Sequence, residues 1–230
     1  MLLELKNISK SYGPKKVLKN INLSIEEGKI VGLLGPNGSG KSTMIKLIND
    51  LLVPDSGEIL IKGEKPGMAS KKIIAYLPER TYLNQNWTVR ETLSFFKDFY
   101  DNFDREKAKK LLKKLGIKET DALKTMSKGT KEKVQLILVM SRNADLYILD
   151  EPIGGVDPAA RDYILDTILT NFKDGASILI STHLISDVER ILDDVVFLSD
   201  GTIREHQSAD QLRHKYDASI DQIFREEFKC

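Results

Sequence analysis

Nine consecutive residues, Gly35-Pro36-Asn37-Gly38-Ser39-Gly40-Lys41-Ser42-Thr43, carry the spacing GxxxxGK[ST] with a further glycine inside it. Glycines let the backbone turn several N–H groups toward one point, the lysine adds a mobile cation, and the hydroxyl can ligate a divalent metal. That combination suits a triphosphate carrying Mg²⁺: Lys41 would reach the β and γ oxygens and Ser42 the metal. Composition alone produces the minimal pattern in about one chain in a hundred of this length, so a plain glycine-rich turn is the lesser reading. Downstream, the apolar run Leu146-Tyr147-Ile148-Leu149 ends in Asp150-Glu151. At the end of a strand beside a phosphate loop, Asp150 can hold Mg²⁺ and Glu151 can orient the attacking water. By itself such an ending is weak, since paired acids also cap helices or meet solvent; it gains weight behind a complete phosphate loop.

The surrounding pattern supplies the elements that would position these groups. Lys29–Leu34 reads as a short buried strand, and Met44–Leu52 carries Ile45, Ile48 and Leu52 at helical spacing before Pro54, so the loop joins a strand to a helix. The helix start then aims its N–H groups at the phosphates. Residues 2 to 25 alternate like strands broken at Tyr12-Gly13-Pro14, and Asp55-Ser56-Gly57 turns the chain into another strand, Glu58–Lys62. From about 84 to 140 the period becomes helical: Thr88 and Glu91 form a capping box, Asp104 can cap a second helix, and Gly116 can end it. Strands recur at 146–149, 177–181 and 195–198, separated by a helix from Pro158 after an Asp157 cap and another near 184–192. Alternation of this kind predicts a mainly parallel α/β core with an antiparallel β part and an inserted helical lobe at about 84–140, all in a single domain spanning 1–230.

Bulk properties narrow the class. The chain has 230 residues, 41% hydrophobic content and a net charge of +1, enough to bury a large core and too balanced to argue for nucleic acid. Its single cysteine, Cys230, predicts neither disulfides nor a cysteine metal site. The opening MLLELKNISK is charged at Glu4 and Lys6, and no run approaches 18 apolar residues, so the expectation is an intracellular chain that does not itself cross a membrane.

Further landmarks are Met126-Ser127-Lys128-Gly129-Thr130-Lys131, about twenty residues ahead of the acid pair, and His183 in Ser181-Thr182-His183. With these in order, almost the whole chain, from the Tyr12 region to Ser219–Phe224, resembles the ATP-binding subunit of the ATP-binding cassette (ABC) family. The resemblance implies the P-loop NTPase (RecA-like) fold and carries several roles. Tyr12 matches the aromatic that stacks on adenine, and Gly35 to Thr43 hold the phosphates. Ser127 and Gly129 match a signature loop that contacts the γ-phosphate bound to the opposite subunit, and Asp157 falls in the loop that couples the two sites. His183 matches the switch histidine, completing with Glu151 and Lys41 the catalytic set. Glu79, in Tyr76-Leu77-Pro78-Glu79, stands where the family usually has glutamine; it adds a third carboxylate to Asp150 and Glu151 and joins Ser42 and Asp150 near the metal. The form SKGTKEK departs from the LSGGQ consensus and is closer to a variant of exporter ATPases with separate membrane subunits.

The resemblance thus implies ATP and Mg²⁺ as ligands, a homodimer or heterodimer of ATP-binding subunits, a separate transmembrane permease whose cytoplasmic helices dock near the Glu79 loop and the helical lobe, no nucleic acid, and a place on the cytoplasmic face of the membrane. Two rivals stay open on sequence alone: a soluble ABC-type ATPase of DNA repair or translation, and a nucleotide-gated regulatory module without useful turnover. Lys128 has two readings, beside incoming phosphates or in solvent. So has the stretch Arg105 to Lys118, with seven cations against Glu106, as a solvated face or as a contact for anionic lipid or an acidic partner.

Overall fold

The computed structural model describes residues 1–228, apart from the side chains of Ala159 and Ala160; Cys230 lies outside the described residues. In chain order the elements are β1 (Leu3–Tyr12), β2 (Lys15–Ile25), β3 (Ile30–Leu34), α1 (Lys41–Ile48), β4 (Ser56–Ile61), α2 (Met68–Ile73), β5 (Ile74–Leu77), α3 (Val89–Phe99), α4 (Arg105–Lys114), α5 (Lys128–Met140), β6 (Leu146–Asp150), α6 (Pro158–Asn171), β7 (Ser177–Thr182), α7 (Ile185–Val188), β8 (Asp194–Ser199), β9 (Thr202–Ser208), α8 (Ala209–Tyr216) and α9 (Ile220–Glu227). A six-stranded sheet runs β5-β6-β7-β3-β8-β9, parallel except for the antiparallel β8–β9 pair. A second, antiparallel sheet has the order β2-β1-β4.

The central strands read as unbroken apolar runs because both faces are covered. Val31, Leu33, Leu146, Ile148, Leu179, Val196 and Leu198 turn to one side, where they meet the antiparallel sheet and Met44, Ile45 and Ile48 of α1. Leu34, Tyr147, Leu149, Ile178, Ile180 and Phe197 turn to the other, against α5, α6, α8 and α9. A third cluster gathers Leu93 and Phe96 of α3, Leu111 and Leu112 of α4, and Val134, Ile137 and Leu138 of α5. Helix α5 serves two cores at once, since Leu136, Val139 and Met140 belong to the sheet side.

Capping follows the sequence closely. Thr88 Oγ1 accepts from Glu91 N at 3.3 Å while Glu91 returns a carboxylate to Thr88 N at 2.7 Å, and Asp104 accepts from Lys107 N at 2.9 Å. Helix α1, expected to run to Leu52, stops at Ile48. Asp50 takes a left-handed turn (φ 56), its N–H bonds Leu47 O at 3.1 Å, and Leu51 N bonds Lys46 O at 2.8 Å. This closing turn ends the helix before Pro54 has any say. The helix expected near 184–192 is four residues of α7 followed by a 3₁₀ turn, Glu189–Ile191. Helix α2, edge strands β5 and β9, and helices α8 and α9 come in addition to the elements expected.

Candidate active site

The loop after β3 enters α1 through Gly40, whose φ of 112° is open to glycine alone, and a Cβ at Gly35 would lie 2.2 Å from Leu198 O. These two constraints let the backbone fold tightly around its own lysine. Lys41 Nζ donates to Gly35 O at 2.7 Å and to Pro36 O at 3.2 Å. Its side chain is only 6% exposed, and burial lowers its pKa against the opposing pull of Glu151, Asp150 and Glu79. A cation held by two carbonyls and three nearby carboxylates is one that an anion can capture without further desolvation.

Asp150 closes β6 and is buried. Parallel register sets it beside Ser181 of β7, whose hydroxyl donates to Asp150 Oδ1, and Ser42 Oγ donates to the same oxygen at 3.4 Å. Burial pushes the Asp150 carboxyl up; the two hydroxyls oppose that shift, and the charges of Glu151 and Glu79 add to it. Glu151 has φ 51°, a left-handed step that swings its carboxylate out of the strand direction. There it receives Thr182 Oγ1 at 3.2 Å and His183 Nδ1 at 3.0 Å, and lies 3.9 Å from Lys41 Nζ.

These groups open into a cleft of about 940 Å³, lined on one wall by Asn37, Gly38, Gly40, Lys41, Ser42 and Thr43, and on others by Glu79, Glu151 and His183. Gly35, Pro36 and Ser39 form the loop's back rather than its lining, and the buried Ser39 hydroxyl has no hydrogen-bond partner among the described residues. The glycine-built loop walls the cleft around the Lys41 ammonium, which rests on two backbone carbonyls, so the loop fits a nucleoside triphosphate. Ser42 and Asp150 fit magnesium. No group of three or more His, Cys, Asp or Glu suited to a metal occurs among the described residues.

Not every expected residue reaches this cleft. Tyr12 ends β1 opposite Lys15, 48% exposed, and the cleft is lined there by Lys15 and Val17 instead. Ser127 caps α5, its hydroxyl accepting from Thr130 N at 3.2 Å and lying 2.8 Å from Thr130 Oγ1; neither Ser127 nor Gly129 lines the cleft, although Lys128 and Glu132 do. Lys128 sits 3.7 Å from Glu132, one turn along the helix. Sequence reading passed over Ser181 and Thr182 as functional. Their signal was the run Ser-Thr-His at a strand end, but only register aligns Ser181 with Asp150. Arg80 and Thr81, beside Glu79, were likewise not singled out.

A phosphate loop at the carboxyl ends of parallel strands, faced by a metal-suited aspartate and a glutamate tied to a histidine, defines a P-loop nucleotide-hydrolysing protein. Residues 18–154 match the family model described as ABC transporter. The chain is 34% identical over 218 residues to the ABC transporter ATP-binding protein YtrB of Bacillus subtilis, covering 94% of this chain and 75% of that one. To the SkfA peptide export ATP-binding protein SkfE of the same organism it is 32% identical over 210 residues, covering 89% and 88%. A solved ATP-binding subunit of an ABC transporter superposes with a TM-score of 0.89 at 32% identity over 100% of both chains. The chain therefore belongs to the ABC transporter family. It is an ATP-binding and ATP-hydrolysing subunit that energises a separate transmembrane subunit. No helix among the described residues is long and apolar enough to cross a membrane.

Proposed function

We propose that two such subunits, identical or related, close face to face on the cytoplasmic side of the membrane around two ATP molecules, and that their hydrolysis drives export. The observation that carries this reading is the placement of the Glu151 carboxylate, bound by Thr182 and His183 and set 3.9 Å from Lys41, at the mouth of the phosphate loop. Lys41 exchanges its two backbone carbonyls for β and γ oxygens. Backbone N–H groups of Gly38, Gly40, Lys41 and Ser42 at the start of α1 hold the remaining phosphate charge. Ser42 and Asp150 would hold magnesium, which when bound neutralises the β- and γ-oxygens, and Glu79 faces the same centre. Glu151 then takes the proton of the attacking water, and His183 fixes the γ-phosphate. Ser127 and Gly129 serve the ATP of the opposite subunit, which accords with their lying off the cleft of their own chain, and Tyr12 stacks on adenine beside Lys15 and Val17.

For the membrane partner the second large concavity is the natural dock. It holds about 640 Å³ and is lined by Leu51, Met68, Tyr76, Pro78, Phe96 and Phe99 among others. Met68 is 78% and Phe99 69% exposed, an apolar surface that solvent does not favour. Pro78 joins this groove to Glu79 of the nucleotide cleft, so a helix seated there touches the segment that would help hold the metal. The relative named for peptide export, and the lysine-bearing signature, support the outward direction. Co-purification with the membrane subunit from solubilised membranes tests the reading. Replacing Phe99 and Met68 with Asp should abolish it, and undiminished recovery, or recovery with ribosomes or DNA instead, would sink it.

A further inference from the structure

Residues 105–118 carry a net charge of +6 while the whole chain carries +1, which leaves −5 on everything else. The structure sorts these cations. Arg105 and Lys109 lie 3.5 Å from Glu119, Lys109 also lies 3.3 Å from Glu106, and Lys107 donates to the Asn171 carbonyl. Lys110, Lys113, Lys114 and Lys118 are exposed and have no ion pair among the described residues. Lys110, Lys113 and Lys114 sit at i, i+3 and i+4, on one face of α4 opposite the buried Ala108, Leu111 and Leu112. That face exposes no large apolar side chain.

We infer that the outer face of α4, with Lys110, Lys113 and Lys114 continued by Lys118, is a membrane-contact surface for anionic lipid headgroups, independent of the protein partner. The chemistry favours lipid over an acidic protein. Lysine is depleted at protein interfaces, and protein anchors need apolar or aromatic side chains, which this face lacks. Flexible ammonium groups without fixed geometry suit a diffuse layer of phosphates. The rest of the molecule carries −5, so the overall field does not draw it to an anionic bilayer and the attraction falls to local patches such as this one.

The test is partition of the purified full chain onto phosphatidylcholine vesicles with and without phosphatidylglycerol. Each lysine close to such a surface is worth about fivefold in binding. K110A/K113A should therefore bind the phosphatidylglycerol vesicles about 30-fold more weakly, whereas K16A/K19A, the same charge change on exposed β2 lysines, should change it far less. Raising salt from ~0.1 to ~1 M shortens screening from ~10 to ~3 Å and should release the chain. Binding that ignores lipid charge overturns the inference, as does equal loss in the two double variants. Absent vesicle binding, with Lys110 and Lys113 needed only for capture of the membrane subunit, assigns the face to protein and overturns it equally.

Discussion

Glu151→Gln removes one negative charge while keeping side-chain volume and an oxygen to accept from Thr182. At the Lys41–Glu151 separation of 3.9 Å, two unit charges interact by ~4 kcal/mol at an effective dielectric of ~20. A γ-phosphate drawn to Lys41 meets repulsion of similar order from the same carboxylate. The substitution therefore leaves ATP affinity equal or tighter, although it takes away the group placed to accept a proton from water. Hydrolysis should fall about 10²- to 10⁴-fold, equivalent to ~3–5.5 kcal/mol in the barrier. Single-turnover release of phosphate, run beside a titration with fluorescent nucleotide and size analysis in ATP, separates these effects. A slow variant that binds ATP and accumulates as a dimer is the expected result. Turnover at the parental rate, or affinity lost in step with rate, would refute the assignment of Glu151 and the electrostatic argument together.

Lys41→Ala removes a cation already desolvated by burial, so nucleotide affinity itself should drop ~10- to 100-fold, as for a charged hydrogen bond, in the same titration. Ser127→Ala should leave ATP binding through Lys41 intact but prevent ATP-driven dimerisation in the Glu151→Gln background; its cost to α5 as a lost cap is only ~1 kcal/mol, and normal dimerisation would return the phosphate loop to being a site complete in one chain. Arg142, 4% exposed, donates to the carbonyls of Lys71, Lys72 and Ile74 and to Asn102, with its guanidinium 3.8 Å from the Tyr100 ring. Arg142→Met strands those acceptors and should cost ~3–5 kcal/mol in urea unfolding; a loss under 1 kcal/mol would contradict the bonding described.

The phosphate loop and the central strands were legible because their requirements are local. Glycine at a positive φ, lysine at a fixed offset and an apolar run between turns all act within a few residues. The caps at Thr88 and Asp104 are legible for the same reason. Strands β5 and β9 were missed because Ile74–Leu77 is too short to show a period and Thr202–Ser208 is polar on an edge of the sheet. Nothing near Ser181 in the chain announces that it will meet Asp150; that contact is made by the register of two strands thirty-one residues apart at this point. Tyr12 shows another limit: its type and place in the chain suggest stacking, while its strand leaves the ring 48% exposed next to the cleft-lining Lys15 and Val17.

Helix α5 has the proportions of a lever held at one end. Its 13 residues make a rod ~20 Å long, free at Ser127 and pinned just beyond Met140, where Arg142 ties it to the carbonyls of α2 and β5. A tilt of ~10° about that pin carries Ser127 through ~3 Å, more than any hydrogen bond tolerates. Because the rod is shared by the sheet core and the helical cluster, any rotation of one packing layer against the other is magnified at Ser127, and under the proposed dimer that displacement decides whether the tip meets the second nucleotide.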